Sequence, residues 1–529
     1  MLETHTSPSA DITGILAQIV GSERVITDPA DITLFGQDIY SSGEPPACIV
    51  SIKTTQELSQ VVAAATSRGI AVLPRGAGMS YTGGYLAQEG GAVLVDLSTM
   101  NRILEINTED MTVTVEAGVT WKQLYEALKE KGVRTPFWGP MSGFSSTIGG
   151  GLSQNNAVFG SGVYGPTADS VTSMTVVLAD GTILKTGSAS TQGGSPFWRH
   201  YGPDLTGVFI GDTGALGFKA EATFRLIKLP NAERWASFEF TSFEACAKAC
   251  SAIGREGLAC ELFGFDPVLG MARMKRASLL ADAKTFVNVV TGQKNLFKGV
   301  VEGAKMALAG RSFMADEGYS VHLVVEGRSE AAVEHDMGVL RAIALELGAK
   351  EIENTIPKVV RTMPFTPLNN ILGPEGERWV PIHGILPHSK AIPAWRDVYA
   401  LFDSLKPDME ALKVECGFMI TTISTNGFLL EPVFYWPGER NSLVEATIEP
   451  HMLAKLPKGT NDDTASALVE KMRTAIKAIF LKHGGAHFQI GRTYPYAETR
   501  EPAALALVEA IKQAVDPQRR VNPGSLGLK

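Results

Sequence analysis

Between residues 74 and 218 the chain carries four glycine-rich loops, and no other feature restricts its fold so tightly. The first, Pro74-Arg75-Gly76-Ala77-Gly78-Met79-Ser80-Tyr81-Thr82-Gly83-Gly84, follows directly on the apolar run Ile70-Ala71-Val72-Leu73. The second runs from Pro140 to Asn156 and combines Gly149-Gly150-Gly151 with the hydroxyls and amides of Ser142, Ser145, Ser146, Thr147 and Gln154. The third is Gly160-Ser161-Gly162-Val163-Tyr164-Gly165-Pro166, and the fourth Gly211-Asp212-Thr213-Gly214-Ala215-Leu216-Gly217-Phe218. A glycine loop turns sharply and presents free backbone N–H groups, which bind phosphate oxygens because no Cβ holds the ligand away. One such loop reads as a structural turn. The first loop is not a Rossmann fingerprint, having no acidic residue at the ribose position, nor a P-loop, having no Gly-Lys-Ser/Thr. Four together ask for a ligand long enough to need amide contacts along its whole length, and that points to a dinucleotide.

The surrounding sequence alternates strands and helices. Residues 47–52 read as a strand, and 54–69 as a helix with a Thr54 cap and a Gly69 stop. Further strands are expected at 91–98 and 111–118, a helix at 120–132, and a hairpin at 171–187 turned by Ala179-Asp180-Gly181. After Pro230 glycine clusters thin out. Amphipathic stretches at 330–348 and 464–484 then alternate with strand-like runs at 319–327, 378–387 and 427–437, and a helix over 501–516 leads into the tail. With 529 residues, more than one core is expected. A net charge of -8 with no Lys/Arg run argues against nucleic acid, and no run approaches the ~20 apolar residues of a membrane span. No secretory signal is read at the N-terminus, and five cysteines suit a reducing compartment, so the expectation is cytoplasmic. Cys246 and Cys250 lie four apart without a second ligand pair, so no metal site is expected.

The first loop, the run 91–128, the STIGGGLSQN loop, and the segments YGPTADSVTSMTVVLADGTILKTG and YGPDLTGVFIGDTGALGFKAEATFRLI follow one another as they do in the FAD-linked oxidases of the vanillyl-alcohol oxidase / p-cresol methylhydroxylase type. The tail DPQRRVNPGSLGL resembles that family's C-terminal return segment, and the D-lactate and glycolate dehydrogenase flavoproteins are also similar. The resemblance implies an α+β fold: a two-subdomain, PCMH-type FAD-binding domain over 1–228, an α+β substrate cap over 229–474, and a return segment over 475–529 packed on the FAD domain. By position it implies a pyrophosphate loop of Pro74, Arg75, Gly76, Ala77, Gly78, Met79 and Ser80 with Gly84. Ribityl and flavin contacts are implied for Pro140, Met141, Ser142, Thr147, Ile148, Gly149, Gly150, Gln154, Gly162 and Tyr164. Gly214, Gly217 and Phe218 would lie beside a ring of the cofactor, and Asn522 in the returning tail.

The chain also departs from the family. Many relatives attach the flavin covalently to a histidine after RGxG; here that place holds Met79, so FAD is expected to be non-covalent. The Tyr-Arg pair of phenol-oxidising members is replaced by Phe488-Gln489, and the His-x-His metal motif of the 2-hydroxy-acid dehydrogenases has no counterpart in 419–427. Hydride transfer to a flavin needs a positioned C–H, a base for the hydroxyl proton, and stabilisation of charge on the ring. His383 is the first choice of base, since imidazole titrates near neutral pH; the alternative is a hydrogen-bonded core histidine. Arg492 is a candidate anion holder against the alternative of a salt bridge, and Tyr435, Gln489 and Arg378 are candidate pocket residues against the alternative of core packing. Strand alternation puts Trp379, Pro381 and His383 on one face, and Glu431, Val433 and Tyr435 on another. The expected reaction oxidises an alcohol, para-substituted phenol or 2-hydroxy acid and passes the electrons to O2, a quinone or an acceptor protein. Its rivals are NADPH-dependent reduction of an enoyl substrate and flavin binding without turnover. A homodimer is the default assembly.

Overall fold

In the computed structural model, which describes residues 8–272 and 318–528, the first strands build two small sheets. The parallel core of the first joins Cys48–Ser51, Val93–Asp96 and Val72–Arg75, with Val25–Ile26 added antiparallel at one edge. These strands are short, apolar and almost wholly buried, as expected of parallel strands covered on both faces. The helix Thr55–Thr66 is the crossover between Cys48–Ser51 and Val72–Arg75, and Thr54 caps it by accepting the Glu57 amide at 3.1 Å. At the other edge the tail returns: Val72 N donates to Arg520 O and Asn522 N donates to Val72 O.

The second sheet is antiparallel, in the order Ile103–Asn107, Thr112–Glu116, Phe218–Arg225, Val171–Val177, Ile183–Lys185. Its last pair is the expected hairpin, with Gly181 at φ +85° supplying the left-handed turn. The helix Trp121–Lys129, held by a reciprocal box between Thr120 and Gln123, packs Trp121, Leu124 and Leu128 beneath this sheet.

From Ala232 the chain enters an eight-stranded antiparallel sheet, which includes Ala259–Phe265, Arg378–Pro381, Gly384–Leu386, Glu415–Ile423 and Gly427–Trp436. Alternation divides this sheet sharply. Phe418, Ile420, Phe428, Leu430, Phe434 and Trp436 share a core with the helices Phe243–Glu256, Glu330–Glu346, Ala391–Ala411 and Asp463–Lys482. Met419, Thr421, Ile423, Leu429 and Glu431 point the other way, onto a cleft shared with the glycine loops. The helix Asp463–Lys482 spans the expected boundary at 474/475, and Ala465 through Phe480 pack in the cap core, so the chain leaves the cap only after it.

A buried ionic cluster ties the cap to the first 228 residues. Arg361 pairs with Glu233, Glu261 and Glu326, Arg134 reaches Glu326, and Glu261 also accepts the Gly160 amide at 3.0 Å. Burial of such charges is tolerable because Arg361 meets three carboxylates and Arg134 also donates to Thr135 O and Pro136 O.

Candidate active site

Three of the four glycine loops interlock so closely that side chains would not fit between them. A Cβ on Gly76 would stand 2.4 Å from Thr147 Oγ1, one on Gly149 would stand 2.8 Å from the Ala117 Cβ, and one on Gly84 would stand 2.7 Å from Thr213 Cγ2. Thr147 caps the short helix Ile148–Gln154, accepting the Gly150 amide, so the first loop leans on the start of the second. The C-terminal segment closes the assembly: Gln489 N donates to Gln154 O at 2.8 Å, and Gly491 N donates to Thr213 Oγ1 at 3.2 Å.

Together these elements form one wall of a cleft of about 1810 Å³ measured out to its mouth, roofed by the cap sheet. Pro74, Arg75, Gly76, Ala77, Gly78, Met79, Ser80, Gly84, Pro140, Met141, Ser142, Thr147, Gly149, Gly150, Gln154 and Gly217 all line it. Six of the expected contacts stand behind the lining. Ile148 and Phe218 are fully buried core residues. Gly162 packs on the cap, where a Cβ would stand 2.2 Å from Ala259 O, and Tyr164 sits against the Arg134 guanidinium. Gly214, at φ +72°, supports the loop from below against Pro74. Asn522 also stands behind the lining, donating to Gly84 O and Thr213 O.

The wall fits the dinucleotide. Ser146 Oγ and Gln154 Oε1 are buried at the cleft without a partner among the described residues, although a buried polar atom normally has one. Lys219 Nζ, 2.6 Å from Asp212 Oδ1, adds a cation to the same wall. Asp38 shapes the first loop from outside, accepting Gly83 N at 2.7 Å and Ser41 N at 2.6 Å; burial pushes its carboxyl above the usual range. Among the described residues no group of three His, Cys, Asp or Glu side chains could hold a metal ion.

The catalytic expectations fare differently: of the five, Gln489 alone lines the cleft. His383 is fully buried, with Nε2 2.7 Å from Phe488 O and Nδ1 3.0 Å from the Tyr494 hydroxyl. The Phe488 ring stacks over its imidazole at 4.1 Å, and Phe488, not His383, faces the cleft. Burial and the neighbouring His487 push the His383 pKa down to about 3, so this imidazole is a neutral support for the Phe488-Gln489 segment. Arg492 is spent on the return segment, donating to Gly83 O, Asn522 Oδ1 and Pro523 O; burial lowers its pKa to about 10. Arg378 lies on the far face of its strand, donating to Tyr40 O at 2.6 Å and stacking on Tyr40 and Trp436. Tyr435 packs with Phe263, Phe265 and Met419 in an apolar cluster beside the cleft.

In their place the cleft exposes Tyr81, Trp379, Met419, Thr421, Glu431 and Phe488. Tyr81 and Trp379 meet edge to face at 5.6 Å. Burial first, then the charge of Glu431, raises the Tyr81 pKa well above that of a free phenol, while a side-chain hydrogen bond from Gln489 opposes the shift. Strand alternation had placed Glu431 on one face; which face meets the cofactor wall emerged only from packing. Leu368, Asn370 and Ile371, also in the lining, come from an irregular segment that carries no motif.

Comparison with known proteins agrees with this arrangement. The FAD binding domain model matches residues 46–187, and the C-terminal domain of FAD linked oxidases matches residues 450–526. A glycolate oxidase subunit of Bacillus subtilis is 31% identical over 244 residues, 46% of this chain and 50% of that protein. A D-2-hydroxyglutarate dehydrogenase of Xanthomonas citri pv. viticola is 31% identical over 251 residues, 47% of this chain and 51% of that protein. The chain thus spans about half the length of the curated relatives it matches. A solved p-cresol methylhydroxylase superposes with a TM-score of 0.71 at 17% identity, covering 100% of this chain and 99% of that one, which shows a shared fold. With both domain models matched, and their segments meeting at one cleft, the chain carries an FAD binding domain and a C-terminal domain of FAD linked oxidases.

Proposed function

We propose that this chain is an FAD-dependent oxidoreductase that removes hydride from a CH–OH group of a small organic substrate. The observation that carries the reading is the cleft itself: a wall of interlocked glycine loops with partnerless polar atoms, facing an apolar cap surface. The backbone amides of residues 76–80 and the side chains of Ser146, Gln154 and Lys219 are suited to the pyrophosphate and ribityl oxygens. Bound FAD supplies the two-electron hydride acceptor. Trp379, Phe488 and Tyr81 orient the substrate and exclude water, and Gln489, hydrogen-bonded to Tyr81, borders the same space. The electrons then pass to O2, a quinone or an acceptor protein. Among the described residues no helix is long and apolar enough to cross a membrane.

Met79 stands in the lining where a covalent tether would need a nucleophilic side chain, so the cofactor is held without a bond. The test is an absorption spectrum before and after acid precipitation. Flavin bands that leave with the supernatant are expected. A yellow pellet would refute non-covalent attachment, and a colourless protein that takes up no added FAD would refute the reading as a whole.

A further inference from the structure

The charge on the cap side of the cleft narrows the substrate, given the reading of this site as an FAD-bearing oxidase. Met419 opposes Glu431 and Thr421 opposes Leu429 across paired strands, so all four share the face turned to the glycine wall. Leu368, Ile371, Trp379, Ile423 and Phe488 complete an apolar surround. Glu431 is the one charged side chain that the cap end contributes to the lining among the described residues. The two cations of the cleft belong to the opposite wall. The Arg75 guanidinium lies 4.1 Å over the Phe35 ring and donates to Gly76 O, while Lys219 pairs with Asp212.

We propose that Glu431 accepts the substrate's hydroxyl proton and makes the site selective for uncharged, largely apolar alcohols over 2-hydroxy acids. A substrate carboxylate at the cap end would meet a like charge and apolar side chains, with no cation among the described residues of that end to offset its desolvation. An uncharged carbinol escapes that penalty. Its hydrocarbon body packs among Trp379, Phe488 and Leu429, and its hydroxyl reaches the carboxylate beside the protonated Tyr81 phenol. In the reaction the O–H bond breaks and its proton goes to a Glu431 oxygen. The carbinol C–H bond breaks with its electron pair going as hydride to FAD, and the C–O bond becomes a carbonyl. The substrate thereby loses two electrons and the cofactor gains them. The relatives whose names cite glycolate and 2-hydroxyglutarate share about half their length with this chain, and its cap end points to a different substrate.

The experiment is calorimetric titration of the FAD-loaded protein with two compounds that have no carbinol C–H and so bind without reacting. These are 2-phenyl-2-propanol and 2-hydroxy-2-phenylpropanoate, which differ by a methyl in place of a carboxylate. The alcohol is expected to bind at least about tenfold more tightly. In Glu431→Gln the carboxylate compound should gain about tenfold in affinity while the alcohol changes little. Anaerobic bleaching of the flavin by 1-phenylethanol should slow by about 100-fold. Equal or tighter binding of the carboxylate compound by the wild-type protein, or no binding of the alcohol, overturns the proposal. So does a FAD-loaded E431Q protein whose binding preference and bleaching rate are unchanged. The wild-type comparison stands even if the variant does not fold. A protein that takes up no FAD instead sinks the underlying oxidase reading, an outcome distinct from a yellow protein that prefers the acid.

Discussion

Arg492 and Asn522 clasp one another, with the guanidinium Nη2 donating to the amide Oδ1 at 2.8 Å. The Asn522 amide then donates to Gly84 O at 2.7 Å and to Thr213 O at 2.8 Å, so one side chain of the returning tail joins the first and fourth glycine loops. Asn522→Ala leaves two buried carbonyls without their donor and puts alanine at φ +43°. The expected outcome is a loss of about 1–3 kcal/mol of stability, read by thermal unfolding, with faster FAD release. An unchanged FAD off-rate would mean that the tail does not support the cofactor wall.

Gly76→Ala should empty the site. Its Cβ would fall 2.4 Å from Thr147 Oγ1, forcing the first loop away from the helix that Thr147 caps. The flavin-to-protein ratio should drop to a small fraction of the wild-type value. Gly338→Ala is the control: nothing lies within 4 Å of its Cβ in the cap helix Glu330–Glu346, and a gain of about 0.5–1 kcal/mol with full flavin content is expected.

Acidification should destabilise the cap through its buried histidines. Burial lowers the pKa of His322 and of His383 to about 3, so the folded state refuses protons that the unfolded chain accepts below about 6.5. Stability from these groups is therefore present near neutrality and falls as pH drops through that window. Between pH 7.5 and 5 each should cost about 2 kcal/mol, and urea titrations of His322→Gln should show a correspondingly shallower dependence.

Asp266 carries the opposite sign. Burial raises its pKa to about 7, so the folded state keeps a proton that the unfolded chain gives up near pH 4. Its contribution weakens as pH rises from about 4 to about 7, where a buried charge must form. Its Oδ1 accepts the Leu269 amide at 2.8 Å, and its Oδ2 has no partner among the described residues. Asp266→Asn should accordingly gain stability relative to the wild type at pH 8 compared with pH 5, measured by denaturant midpoints.

Much of this molecule is a local matter and was legible in the chain. Glycines after an apolar strand, Thr54 and Thr120 at helix starts, and the Ala179-Asp180-Gly181 turn each act within a few residues, where sequence spacing is physical distance. The glycine loops, the hairpin and most of the cleft wall follow from them. Alternation likewise separated Glu431 from Phe434 across the cap sheet. It did not say what each face would meet, because a strand's two faces are equivalent until other elements cover them. Phe488, over 100 residues away in the chain, stacks on His383 and takes its place at the cleft. Arg492 was drawn off by Asn522, Gly83 and Pro523, and Arg378 by Tyr40 and Trp436. Local sequence thus determined where a phosphate-bearing cofactor can lie. Tertiary packing alone decided which side chains meet its reactive end, since long-range contacts choose between groups that the sequence leaves chemically equal.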